Sequence, residues 1–143
     1  MKKVFLLFLL TPIIFSGLER PAVSDDSLPP LQESEAYRRY VSRPKVEFSK
    51  LLYLMDRFWG GPFKVVYDGT TYNTNFPKAK ILIYFFQHYR MEKADQWIRT
   101  HTYRSVPGNN IVYLKYPNGK LRPARDVLLE ELSRLNQLEA SKG

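Results

Sequence analysis

Asp68-Gly69 stands between two β-prone runs, Phe63-Lys64-Val65-Val66-Tyr67 and Thr70-Thr71-Tyr72. This dipeptide accepts the positive φ angles of a tight two-residue turn, so it commits the middle of the chain to a β-hairpin. A second such region follows. Residues 111–116 read as a strand, Pro117-Asn118-Gly119 as a turn, and residues 120–122 as a short return.

Helices surround these hairpins. Ser42-Arg43-Pro44 predicts a helix start, because serine caps and proline tolerates the first turn. Phe48, Leu51, Leu52, Met55 and Trp59 then recur at helical spacing until Gly60-Gly61-Pro62 stops the run. Asn75-Phe76-Pro77 opens a second helix. Its wide apolar set (Ala79, Leu82, Ile83, Phe85, Phe86 and Tyr89) predicts the buried centre of the domain. A shorter third helix carries Ala94, Trp97 and Ile98, and residues 105–110 form a loop. The last helix spans about 123–139, with Leu128, Leu132, Leu135 and Leu138 as its apolar stripe. Arg125, Glu130, Glu131 and Arg134 fall on its other faces. The sum is an α+β fold of about four helices packed on a small antiparallel sheet made of two short hairpins.

The N-terminus has a different character. Met1-Lys2-Lys3 precedes an uncharged run over residues 4–15, and Ser16-Gly17 follows. A basic start, a short apolar stretch and small residues are the order of a secretory signal, so residues 1–17 are read as a signal peptide and the protein as exported, to the periplasm. The run is short for a membrane span. Ile14-Phe15-Ser16-Gly17 is an imperfect cleavage site, which leaves an uncleaved anchor as the other reading. Residues 18–43, with Pro21, Pro29 and Pro30 and five acids against four arginines, read as a flexible tether. A single domain then covers residues 44–143.

Sixteen Lys and Arg against nine acids make that domain basic, whereas the tether is near neutral. Positive charge favours acidic partners through long-range attraction. The chain has no cysteine, which removes disulfides, thiol nucleophiles, thiolate metal sites and a lipid-attached cysteine. His88 and His101 lie thirteen residues apart on different helices, with no metal-binding motif around them, so no metal centre and no cofactor is expected. No nucleophile elbow or phosphate-binding loop is present. The suggestive cluster is basic and aromatic. Arg99, Arg104, Lys115, Lys120, Arg122 and Arg125 surround the second hairpin, interleaved with Tyr103, Tyr113 and Tyr116. Such groups meet phosphate or carboxylate and stack on flat rings. They equally suit a solvated surface that keeps a protein soluble.

The order of features from Val65 resembles the YfeK-like family, a bacterial domain of unknown function found in small exported proteins. The resemblance is carried by Val66-Tyr67-Asp68-Gly69, by the helix holding Ala79, Leu82 and Phe86, and by Ala94-Asp95-Gln96-Trp97-Ile98. It continues through Ser105, Gly108 and Tyr113 in that order, and closes on Leu128-Leu129-Glu130-Glu131-Leu132. It spans roughly residues 46–136. The chain departs from the pattern in having one serine where the family has several, Trp97 for phenylalanine, and the added tether. The resemblance implies an exported α+β domain and assigns it no reaction. It marks Ser105, Gly108 and Tyr113 as a shared surface or a shared turn.

Three functional readings follow from the sequence. In the first, a non-catalytic cell-envelope protein binds a protein partner or an anionic envelope polymer through Arg99, Arg104, Ser105, Gly108, Tyr113, Lys115 and Arg122. Export disfavours nucleic acid as the ligand. In the second, a small envelope hydrolase uses Ser105 with His101 or Asp95. In the third, the chain is a subunit of an assembly, with exposed Trp59, Phe63 or Tyr116 completing an apolar patch.

Overall fold

A computed structural model of the chain describes residues 28–58, 60–74 and 78–143, without the side chains of residues 78–81. The expected signal peptide, the first ten residues of the expected tether, Trp59, the Asn75-Phe76-Pro77 helix start and the Ala79 side chain lie outside the described residues.

The fold is α+β. A 3-10 turn, Leu31–Glu33, leads into α1 (Glu35–Val41) and α2 (Glu47–Phe58). The first hairpin follows as β1 (Lys64–Tyr67) and β2 (Thr70–Asn73), then α3 (Lys78–His88) and α4 (Ala94–His101). The second hairpin is β3 (Tyr113–Lys115) and β4 (Leu121–Pro123), which runs directly into α5 (Ala124–Lys142). Asp68 at φ 47° and Gly69 at φ 78° take the two positive-φ positions of the first turn, as the dipeptide predicts. The two hairpins join edge to edge into one antiparallel sheet of order β2-β1-β3-β4.

Among the described residues there are five helices where about four are expected, and the additional one is α1. It falls inside the stretch read as a tether, so that reading needs correction from Leu31 onward. Ser34 caps α1 by accepting the Tyr37 N–H at 3.1 Å. Ala36, Tyr37 and Tyr40 point inward and are buried. The Tyr40 and Tyr53 rings meet edge to face at 5.7 Å. A seven-residue helix has little stability alone, and it is held here by the core it packs on. For the same reason α2 does not start at Ser42-Arg43-Pro44. The Ser42 N–H bonds back to the Arg39 and Tyr40 carbonyls, so those residues close α1 instead.

The core is built from the buried faces of α1, α2, α4 and α5 against one side of the sheet. Leu51, Leu54, Trp97, Ile98, Leu132 and Leu135 belong to it. The expectation that α3 is the buried centre does not hold. Tyr84, Phe85 and Tyr89 pack against the core, but Ile83 is 55% and Phe86 67% exposed. Glu131 reverses its expected placement too. It is 1% exposed and lies on the buried side of α5. There its Oε1 accepts from Tyr53 Oη at 2.5 Å and from Arg57 Nε at 2.7 Å. Its Oε2 accepts from Arg134 at 3.2 Å. Burial, and then the Glu131 carboxylate, push the Tyr53 phenol far above its ordinary range.

Candidate functional site

Register decides which side chains share a face. Antiparallel partners point to the same side of a sheet, and successive residues point to opposite sides. Tyr72, Val65, Leu114 and Arg122 form one cross-strand row. Leu114 is buried and Val65 packs on the core, so this row faces inward. The flanking rows therefore face outward. One is Asn73, Lys64, Lys115 and Leu121; the other is Thr71, Val66, Tyr113 and Pro123. Arg104 pairs with Ile111, which extends the outward side of β3 at one end.

The outward face thus carries Lys64 directly opposite Lys115, with Tyr113 one row away and Leu121 beside them, 48% exposed. Neither outward row contains a carboxylate. Among the described residues no ion pair engages either lysine. Like charges placed directly opposite repel and weaken a strand pair. The face combines apolar and aromatic side chains with positive charge that no carboxylate in its rows offsets. It can hold an anionic chain by charge while Tyr113 and the apolar side chains meet the chain's rings or carbons.

Tyr113, Lys115 and, at the end, Arg104 come together there. The other expected residues go elsewhere. Arg104 itself also donates to the Asn109 carbonyl at 2.9 Å. Arg99 stands on an exposed face in the last turn of α4, on the helix rather than the sheet. Arg122 points inward and grips Glu130 with both guanidinium arms, one at 3.0 Å. That contact raises its pKa further, burial opposing. It lines a cleft of about 280 Å³ between residues 28–31, the end of α2 and α5, together with Arg57, Arg134 and Glu131. Every arginine in this cleft already has a glutamate: Arg122 holds Glu130, while Arg57 and Arg134 share Glu131. The three arginines of the cleft are thus each ion-paired, with two glutamates between them, whereas among the described residues the lysines of the sheet face have no carboxylate partner.

Ser105 and Gly108 hold a loop in shape. Ser105 is 4% exposed; its hydroxyl donates to Asp68 Oδ1 and accepts the Asn110 N–H at 3.1 Å. Asn110 Nδ2 donates to the same Asp68 oxygen at 3.1 Å. A Cβ on Gly108 would stand 2.4 Å from that oxygen, so a side chain there would have to push the Asp68 and Asn110 side chains out of their hydrogen bonds. Among the described residues no hydrogen bond joins Ser105 to His101 or Asp95. The Ser105 hydroxyl is paired with Asp68, and His101 Nδ1 lies 3.2 Å from Tyr84 Oη. Hydrogen bonds from Ser105, Asn110 and the Gly108 N–H hold the Asp68 carboxyl below its ordinary range, which makes it a weak base. The expected apolar patch also fails at two positions. Phe63 and Tyr116 are core residues, in edge-to-face contact at 5.1 Å.

Acid loosens this loop, and the sign follows from Asp68. A depressed folded-state pKa means stabilisation that is complete above the ordinary carboxylate range and is lost as pH falls through the lowered value. Protection of the Asn110 amide, corrected for intrinsic exchange, is expected to fall in acid. In Asp68→Asn that acid step is expected to disappear.

Lys64 is the site residue that sequence reading missed. Its signal was the alternation of Lys64-Val65-Val66-Tyr67, which puts Lys64 opposite in facing to Val65. Its neighbour Lys115 lies fifty-one residues away in sequence, and only the β1–β3 pairing joins them. No protein-family model, curated protein or solved structure matches the chain.

Proposed function

We propose that the domain is a non-catalytic module of the cell envelope, exported by its N-terminal segment, which holds an anionic polymer on the outward face of its sheet. The observation that carries this reading is the in-register Lys64–Lys115 pair. The fold keeps a repulsive contact there with no carboxylate in either outward row to relieve it. An acidic ligand relieves it on binding. The domain's positive charge draws such a ligand in, and Tyr113 and Leu121 give its carbon skeleton a surface to lie on. The basic start, short apolar run and small residues of positions 1–17 support the compartment and are silent on the ligand.

Binding to envelope fractions, measured at low and high salt, tests the reading. Lys64→Glu combined with Lys115→Glu is expected to weaken binding about thirtyfold or more, taking about 1 kcal/mol per lysine at an anionic surface. The wild-type affinity is expected to fall as salt rises, and the variant to show a shallower dependence. Both lysines are outside the core, so the unfolding curve should barely move. Affinity that is indifferent to salt and to both substitutions would overturn the reading.

A further inference from the structure

His88 ends α3 and His101 ends α4. The fold brings their rings to 5.9 Å between centroids, at 64°. One residue orients both. The Tyr84 backbone carbonyl lies 2.9 Å from His88 Nδ1, and a carbonyl only accepts, so that nitrogen carries the proton. The Tyr84 hydroxyl lies 3.2 Å from His101 Nδ1. In each ring Nε2 is the nitrogen left for another partner. An imidazole anchored through Nδ1 by a carbonyl or hydroxyl is the arrangement that presents Nε2 to a metal. The spacing agrees. With metal–nitrogen bonds of about 2.0–2.1 Å, two imidazoles on one tetrahedral ion place their ring centroids about 5–6 Å apart.

We infer that His88 and His101 form a two-imidazole site, open to solvent, that takes a divalent ion of the copper, nickel and zinc class and clamps α3 to α4. Imidazole suits these ions, and copper binds most tightly among them. No group of three or more His, Cys, Asp or Glu suited to a metal forms among the described residues, so water or an external ligand fills the remaining positions.

The indole of Trp97 lies 4.7 Å from the His101 ring, centroid to centroid, so it reports on an ion held there. The full chain carrying Trp59→Phe has Trp97 as its one tryptophan. Titrated with copper(II), it is expected to lose emission saturably, with one equivalent bound. His88→Ala and His101→Gln are each expected to weaken that binding by more than about tenfold, since even groups that only orient a ligand act on a tenfold to hundredfold scale. Tyr84→Phe, which removes a group that orients His101, is expected to weaken it about tenfold. His88 is exposed, so His88→Ala decides the matter alone if His101→Gln does not fold. Emission that does not saturate, or a titration unchanged in His88→Ala, would overturn the site.

Discussion

Replacing Glu131 by alanine is expected to cost about 3–5 kcal/mol in urea unfolding, the scale for removing one partner of a buried ion pair. Against a typical total of about 5–15 kcal/mol, that brings the domain near its limit. The reason lies in what remains. Arg57 and Tyr53 are buried and both donate to the same Glu131 oxygen. Without it a buried cation and a buried hydroxyl lose the acceptor they share. The comparison that isolates this cause is Glu131→Leu with Arg57→Met and Tyr53→Phe. An apolar replacement of the whole group is expected to recover most of the loss. A Glu131→Ala cost of less than about 1 kcal/mol would mean that the pair is solvated in solution, since exposed pairs contribute no more than that.

The second large effect concerns α1. A chain beginning at Pro44 is expected not to hold its fold, whereas one beginning at Leu28 is expected to unfold with nearly full stability. Tyr37 and Tyr40 are buried, and their rings lie 6.3 Å apart. Deleting a large buried aromatic costs about 3–5 kcal/mol, so losing both approaches the stability of a whole domain. The cut also exposes the Tyr53 ring and breaks the bond from Tyr40 to Glu139 at 2.5 Å. Circular dichroism and urea titration of the two truncated chains measure the difference. Equal stability would restore the tether reading for residues 31–41.

The hairpin at Asp68-Gly69, the turn at Asn118-Gly119 and the periodicities of α2, α4 and α5 were legible because each is a local matter. A turn's φ angles and a helix's 3.6-residue period are written in adjacent residues. Three things were not local. The helix α1 has only three buried residues, and tertiary contacts rather than propensity hold it. The β1–β3 pairing depends on a register that neither hairpin specifies alone. This register also splits the basic cluster, because Arg122 opposes Leu114 and faces inward, while Lys115 opposes Leu121 and faces outward. A cluster that is continuous in sequence is thus divided by a two-residue period. Glu131 is a different case. It sits three residues after Leu128 and four before Leu135, on the apolar stripe itself. Its position was readable, and the charge of its side chain argued the other way.

The first helix of the domain closes on its last. Besides the Tyr40–Glu139 bond, Lys142 reaches Tyr37 Oη at 2.7 Å, across 105 positions of the chain. Glu131, which completes the Arg57 and Tyr53 group, also comes late, 74 and 78 positions further on. A growing chain therefore leaves the synthesis machinery with α1 and α2 made but missing the groups that satisfy them. Until α5 emerges, its buried tyrosines and arginine have no carboxylates to meet. Completion of the core is therefore expected to wait for α5, whose contacts with α1 and α2 span most of the domain.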